Sequence, residues 1–382
     1  MTHTIQINSK RTFIIVLLLL TGISMHNTAS ASSPVNKKKK EKAAQEAATL
    51  AIDAFHSTFY NKDFGVYYET TECKKRAAIW TQAMYWDMLT NAYKRTGDAK
   101  YLNSLNDFFE GMKRQYANFD WHNEKEWFIY DDIMWWVISL ARGYELTENQ
   151  RYLALSESGF DRVWNGSEKV GDKGSYDPEN GGMFWMFKDP AKGKMSCINY
   201  PTVIAAMTLY NITEKKEYLN KAKEIYRWSR ENVFDLSDGK VADSKHGNGR
   251  PAWKTHVYNQ ATCIGAAVML YKETGEEFYK QDAILAADYV KNKMSDSKGI
   301  LFVENGVEQG IYTAIFAEYI IRLIEDCNQK QYLPWMRYNI ENGWKNRDAR
   351  NLTYKDFNKP CPTEVLEVYD ASACPALMQV IP

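Results

Sequence analysis

The chain has 382 residues, 45% of them hydrophobic, with 48 lysines and arginines balanced by 48 aspartates and glutamates. A chain of this length buries a large core without disulfide staples. Its balanced charge leaves no basic excess to neutralise phosphates, which argues against nucleic acid as the main partner.

The first thirty-one residues read as a targeting segment. Lys10 and Arg11 precede the apolar run from Thr12 to Ser24, and Ala29-Ser30-Ala31 follows as a small-x-small cleavage site. This is the order of a secretory signal peptide, and the run is shorter than the about 20 apolar residues that span a bilayer. The expectation is a signal peptide over 1–31, export to the periplasm or beyond the cell, and no membrane span. Residues 32–41, with the tract Lys37 to Lys40, read as a solvated basic leader. Residues 42–382 read as one catalytic domain.

Helical periodicity predicts twelve helices, near 42–59, 77–95, 99–116, 131–146, 150–164, 197–212, 215–233, 259–273, 276–293, 310–325, 329–345 and 371–380. Short β-like pieces are expected near Gly182–Phe187 and Gly299–Val303. A repeat organises the helices. Tyr93, Tyr144, Tyr210 and Tyr271 are each followed three residues later by Thr96, Thr147, Thr213 or Thr274, and five residues after that by Tyr101, Tyr152, Tyr218 or Tyr279. Each unit ends one amphipathic helix, turns, and opens the next. Twelve helices in six hairpins fit an all-α, closed (α/α)6 toroid, with an open solenoid as the competing arrangement. Five long loops (60–77, 117–130, 165–196, 234–258, 294–309) all precede the first helix of a hairpin and are expected to gather on one functional face.

Cys73, Cys197, Cys263, Cys327, Cys361 and Cys374 are widely spaced and form no C-x-x-C pair, which excludes a zinc ribbon. Cys361 with Cys374 is the most plausible bridge, across a short Pro-containing loop, and Cys197 and Cys263 read as small core residues. The histidines are scattered, so a histidine metal cluster is not expected. No nucleophile elbow, zincin motif or P-loop occurs.

The strongest chemical signal is Tyr130-Asp131-Asp132 followed by Trp135-Trp136. Two carboxylates open an inner helix among aromatics. Glycoside cleavage needs two carboxyls, about 5–5.5 Å apart for retention and roughly 6.5–9.5 Å for inversion. Residues whose Cα atoms are ~3.8 Å apart reach the shorter separation but hardly the longer. The bland alternative is that aspartate simply favours a helix's first turn. Tyr176 to Trp185 is a second candidate, in which Asn180-Gly181-Gly182 let a backbone approach a ligand and Trp185 stacks on a sugar, or else form a tight turn with an aromatic plug. Asn199, Tyr258, Asn259 and Gln260 open two further inner helices, where the amides suit sugar hydroxyls or capping. Asp243 is a third acid on the same face. Trp121, Trp127, Trp185 and Trp253 fall in loops and are candidate stacking platforms.

In Tyr130-Asp131-Asp132 with Trp135-Trp136, in Asn180-Gly181-Gly182 with Trp185, in Tyr258-Asn259-Gln260-Ala261-Thr262 and in the Tyr-x-x-Thr turns, the chain resembles glycoside hydrolase family 76 over residues 42–380. The resemblance implies an (α/α)6 barrel and endo-acting, retaining hydrolysis of α-1,6-linked mannan or manno-oligosaccharides without a cofactor. It also implies Asp131 as nucleophile and Asp132 as acid/base, an assignment the residues alone leave open. The family more often has glycine where Ala261 stands. The competing readings are a mannan transglycosylase, an exo-acting α-1,6-mannosidase, and a non-catalytic glycan-binding helical repeat.

Overall fold

The computed structural model describes residues 34–188 and 193–382. The expected signal peptide therefore lies outside the described residues. The helices are α1 (Pro34–Phe59), α2 (Ile79–Thr96), α3 (Ala99–Gln115), α4 (Tyr130–Thr147), α5 (Gln150–Asn165), α6 (Ser196–Thr213), α7 (Lys216–Asn232), α8 (Val257–Thr274), α9 (Glu277–Lys293), α10 (Tyr312–Asp326), α11 (Leu333–Lys345), α12 (Val368–Ala371) and α13 (Ala373–Val380). Two corrections stand at the ends. The first helix starts at Pro34, so Lys38 to Lys40 lie on an exposed helical turn. The last predicted helix is two short pieces meeting at Ser372. Residues 44–382 form one compact unit, and the described residues before Ala44 belong to another.

Within the larger unit, α2, α4, α6, α8, α10 and α13 each pack on the next, and α13 returns to α2. This closed inner ring, with α3, α5, α7 and α9 packed outside their hairpin partners, is the (α/α)6 toroid. Sequence patterning follows the layers. Every residue from Tyr130 to Gly143 in α4, Ser196 to Leu209 in α6 and Val257 to Leu270 in α8 is buried, because an inner helix is covered all round. The outer α3 buries Tyr101, Leu105, Phe108, Phe109 and Met112, one stripe at helical spacing.

The repeat has a hydrogen-bond explanation. Thr96, Thr147, Thr213 and Thr274 each donate a hydroxyl to the carbonyl four residues back, at 2.7 to 2.8 Å. Each hydroxyl also accepts the amide two residues ahead. The next residue, Gly97, Glu148, Glu214 or Gly275, adopts the left-handed conformation, and its N–H closes on the carbonyl of the first tyrosine. One threonine thus ends an inner helix and starts an outer one.

The opposite ends of the inner helices carry the long loops, and these are bracketed by buried amides. Gln82 holds Tyr67, Asn199 holds Met183 and Gln260 holds Val241 and Gly239 by backbone hydrogen bonds. Asn339 does the same for Leu301 and Gly299. Two two-stranded ribbons, β1 (Tyr60–Asn61) with β2 (Val66–Tyr67) and β3 (Gly193–Met195) with β4 (Ser244–His246), lie in the loops. The expected β-like pieces occur as single bridges, Tyr176 to Met183, Ile129 to Met186 and Ser295 to Leu301. A sixth long loop, 346–367, also precedes an inner helix and bonds to the first, the Leu366 carbonyl accepting from the Thr71 N–H at 3.0 Å.

The expected Cys361–Cys374 bridge does not form. Cys374 Sγ contacts Met378 Sδ and the Ile340 carbonyl, whereas Cys361 Sγ faces the Pro362 carbonyl. All six cysteines are free thiols. Cys197 and Cys263 are buried as expected.

Candidate active site

Asp131 and Asp132 occupy the first turn of α4, each with only 8% of its surface exposed. The loop 165–196 is stitched to this helix start: Tyr130 N–H donates to the Trp185 carbonyl at 3.0 Å, and Phe187 N–H to the Phe128 carbonyl at 2.9 Å. The stitch delivers Trp185 to the pair. Its side chain and that of Cys197, in the first turn of α6, lie close enough to the Asp131 carboxylate to favour its ionised form. Asp131 Oδ1 is left buried without a partner.

Both acids sit far above the ordinary carboxylate range. Burial pushes Asp131 up to about 7, opposed by the Cys197 and Trp185 hydrogen bonds and reinforced by Glu308. Burial also raises Asp132, and the negative charges of Asp131 and Glu308 add to it. Asp132 lacks the hydrogen-bonding offset that Asp131 enjoys, so it is the member that holds its proton. One carboxylate poised to ionise beside one kept protonated is the division that acid–base and nucleophilic work requires.

Aromatic rings surround the pair. Tyr258, at the start of α8, stacks on Tyr312 at 4.0 Å, and Trp80 lies 6.1 Å from Trp135 and 6.5 Å from Tyr312. Tyr258 is close enough to Asp131, Asp243 and Cys197 to feel their charges. A second acidic group adjoins: His256 Nδ1 bonds Glu304 Oε1 at 2.8 Å, and its Nε2 lies 3.9 Å from Asp243 Oδ1. Ser196 N–H donates to the Asp243 carbonyl at 2.9 Å, which ties Asp243 to the start of α6.

Asp131, Asp132, Trp185, Tyr258 and Asp243 therefore converge, and other candidates do not. Trp121 is 3% exposed, wedged against Trp127 at 4.6 Å with its Nε1 bonded to the Leu155 carbonyl. It is core and no sugar platform. Gly181 and Gly182 have positive φ, and a Cβ on Gly182 would lie 2.6 Å from the Trp228 ring. Their smallness serves packing on α7, while Asn180 donates its backbone and side-chain N–H groups to the Asp177 carboxylate in the same turn. Asn199 and Gln260 are fully buried loop brackets. Asn259 is fully buried, with both side-chain polar atoms unpartnered. Trp127 is buried, and Trp253 is 40% exposed beneath Lys240.

Sequence reading missed Trp80, Cys197 as a site residue, His256, Glu304, Glu308 and Tyr312. Their shared signal is position: each lies in, or within two residues of, a loop on the active face. Among the described residues no group of histidine, cysteine and acidic side chains is arranged to hold a metal.

The sequence profile of Glycosyl hydrolase family 76 matches residues 40–371. The α-1,6-mannanase of a Salegentibacter species superposes with a TM-score of 0.79 at 25% identity, covering 88% of this chain and 98% of that one. An inactive variant of that enzyme, with two consecutive aspartates replaced by alanine and α-1,6-mannotetrose bound, has a TM-score of 0.79 at 24% identity, covering 88% and 98%. A family 76 mannosidase from Bacteroides thetaiotaomicron has a TM-score of 0.74 at 18% identity, covering 88% and 97%. Cellobiose 2-epimerase of Eubacterium cellulosolvens is 29% identical over 131 residues, a stretch of only 33% of this chain and 32% of that enzyme.

Proposed function

The chain belongs to glycosyl hydrolase family 76, and we propose on that footing that it is a retaining, endo-acting glycosidase of α-1,6-mannosidic linkages. The observation that carries the reading is the consecutive buried pair Asp131 and Asp132 at the start of an inner helix, with unequal environments. Asp131 attacks the anomeric carbon through a carboxylate whose Oδ1 is uncommitted, and the N-terminus of α4 favours its ionised form. Asp132 gives its proton to the departing glycosidic oxygen. In the second half, Asp132 takes a proton from water, whose oxygen displaces Asp131 from the anomeric carbon. Two inversions give net retention. The mannanase relative supports this reading, since its inactive variant lacks two consecutive aspartates and binds an α-1,6-mannose tetramer.

Asp243, Tyr258 and Trp185 are proposed to contact the sugar. The segment over 1–31 supports export, and among the described residues no helix is long and apolar enough to cross a membrane. Incubating the protein with unbranched α-1,6-mannan tests the substrate. A ladder of short oligosaccharides from the earliest times is expected; release of mannose alone would replace endo with exo action, and an intact polymer would reject the substrate.

A further inference from the structure

Glu308 is a third carboxylate at the barrel mouth, four residues before Tyr312 in the segment that opens α10. Its Oε2 accepts the indole N–H of Trp80, from the inner helix α2, at 2.6 Å. Its charge is felt by Tyr85 on α2, Asp131 and Asp132 on α4, Tyr312 on α10 and Tyr369 on α12. A group felt by three helices of the inner ring and by α12 stands at their loop-bearing ends, beside the pair. Among the described residues no lysine or arginine pairs with it.

Charge pairing does not account for a third acid set beside two others without a cation among the described residues. Electrostatics alone gives no reason for it. Hydrogen bonding does: a carboxylate is an acceptor with about four lone-pair positions, and Trp80 occupies one. The partners it lacks are neutral donors, presented from within the cleft. Sugar hydroxyls are such donors, and the rings of Trp80 and Tyr312 beside Glu308 supply the apolar surface that a pyranose face requires.

Building on the α-mannosidase reading, we propose that Glu308 is a substrate-orienting residue. Its carboxylate, pinned by Trp80, accepts a ring hydroxyl of the mannose at the cleavage point and thereby sets the anomeric carbon against Asp131. Trp80 acts through Glu308 as a positioning residue. A charge-assisted hydrogen bond of this kind contributes a factor of about 10 to 100.

The test is a cycle between protein and substrate. The full chain, Glu308→Gln, Glu308→Ala and Trp80→Phe are assayed on α-1,6-linked mannobiosyl fluoride and on versions lacking one hydroxyl of the fluoride-bearing unit. Each deoxy substrate changes intrinsic reactivity equally for every protein, so only the coupling reports contact. One deoxy position is expected to cost the parent about 10- to 100-fold in kcat/KM beyond its cost in Glu308→Ala, where the penalty disappears. Glu308→Gln is expected to fall between, and Trp80→Phe to weaken the same penalty selectively. Circular dichroism identifies any variant that fails to fold, and the glutamine variant preserves shape if alanine does not. Equal penalties in an active parent and its folded variants would overturn the assignment of Glu308 while leaving the α-mannosidase intact. A parent inactive on all these α-mannosides would overturn the α-mannosidase reading, and the role of Glu308 with it.

Discussion

The hydroxyl of Tyr130 donates to Asp172 Oδ1 at 2.5 Å, one residue before the first carboxylate of the pair. The other oxygen of Asp172 is paired with the buried guanidinium of Arg162, whose Nε donates to the Trp121 carbonyl at 3.1 Å. The start of α4 is thus fastened to α5 and to the loops on either side. Tyr130→Phe is expected to lower stability by about 1 kcal/mol and to lower kcat more than it raises KM. Asp172→Asn strands the Arg162 charge and is expected to cost about 3–5 kcal/mol. Urea unfolding alongside steady-state kinetics checks both; equal stability in the two variants would refute the fastening role.

Activity should depend on pH through the pair. In the proposed mechanism Asp131 is ionised to attack, and burial holds it up to about 7. In that mechanism Asp132 is protonated to donate, and burial with its negative neighbours holds it well above the usual carboxylate range. The kcat/KM profile is therefore expected to be bell-shaped, with an acid limb near pH 7 and an alkaline limb above it, reporting the pair as a unit. An optimum near pH 5 would contradict the buried, like-charged environment.

The same shifts act on stability. Both carboxylates are raised on folding, so the native state binds more protons than the unfolded chain. Stability falls as pH rises from about 4, where unfolded aspartate titrates, through the folded values. Asp132→Asn removes the share of that loss due to Asp132. The variant is expected to be more stable than the parent at pH 8 and to match it near pH 4. Thermal unfolding at the two pH values measures this; a uniform gain or loss would reject the linkage.

Gly182→Ala separates packing from ligand contact. With φ at +75° and a new Cβ 2.6 Å from the Trp228 ring, alanine is expected to destabilise by about 1–3 kcal/mol and to leave KM within about twofold in the folded fraction. A large rise in KM at unchanged stability would restore the glycine pair to the sugar site.

The architecture was legible because its signals are local. Threonine turns and outer-helix stripes are written in spacings of three to eight residues, so the six hairpins followed. Asp131 and Asp132 were legible because both stand in one turn. Glu308, His256 and Glu304 were not, since what unites them with the pair is ring closure, which brings residues far apart in sequence to one axis. Asn199 and Gln260 misled for a related reason: an amide at an inner helix start looks the same whether it holds a sugar or a loop, and only their bonds to Met183 and Val241 decide. Trp121 reads as a loop residue, yet the loop folds inward and buries it.

The most direct measurement is proton NMR of the first anomer released from unbranched α-1,6-mannan, run with the parent, Asp131→Asn and Asp132→Asn. The account predicts the α-anomer first, with turnover in both variants reduced by at least about 10³-fold. A β-anomer as first product would contradict retention by this adjacent pair, and full activity in either variant would remove that aspartate from the chemistry.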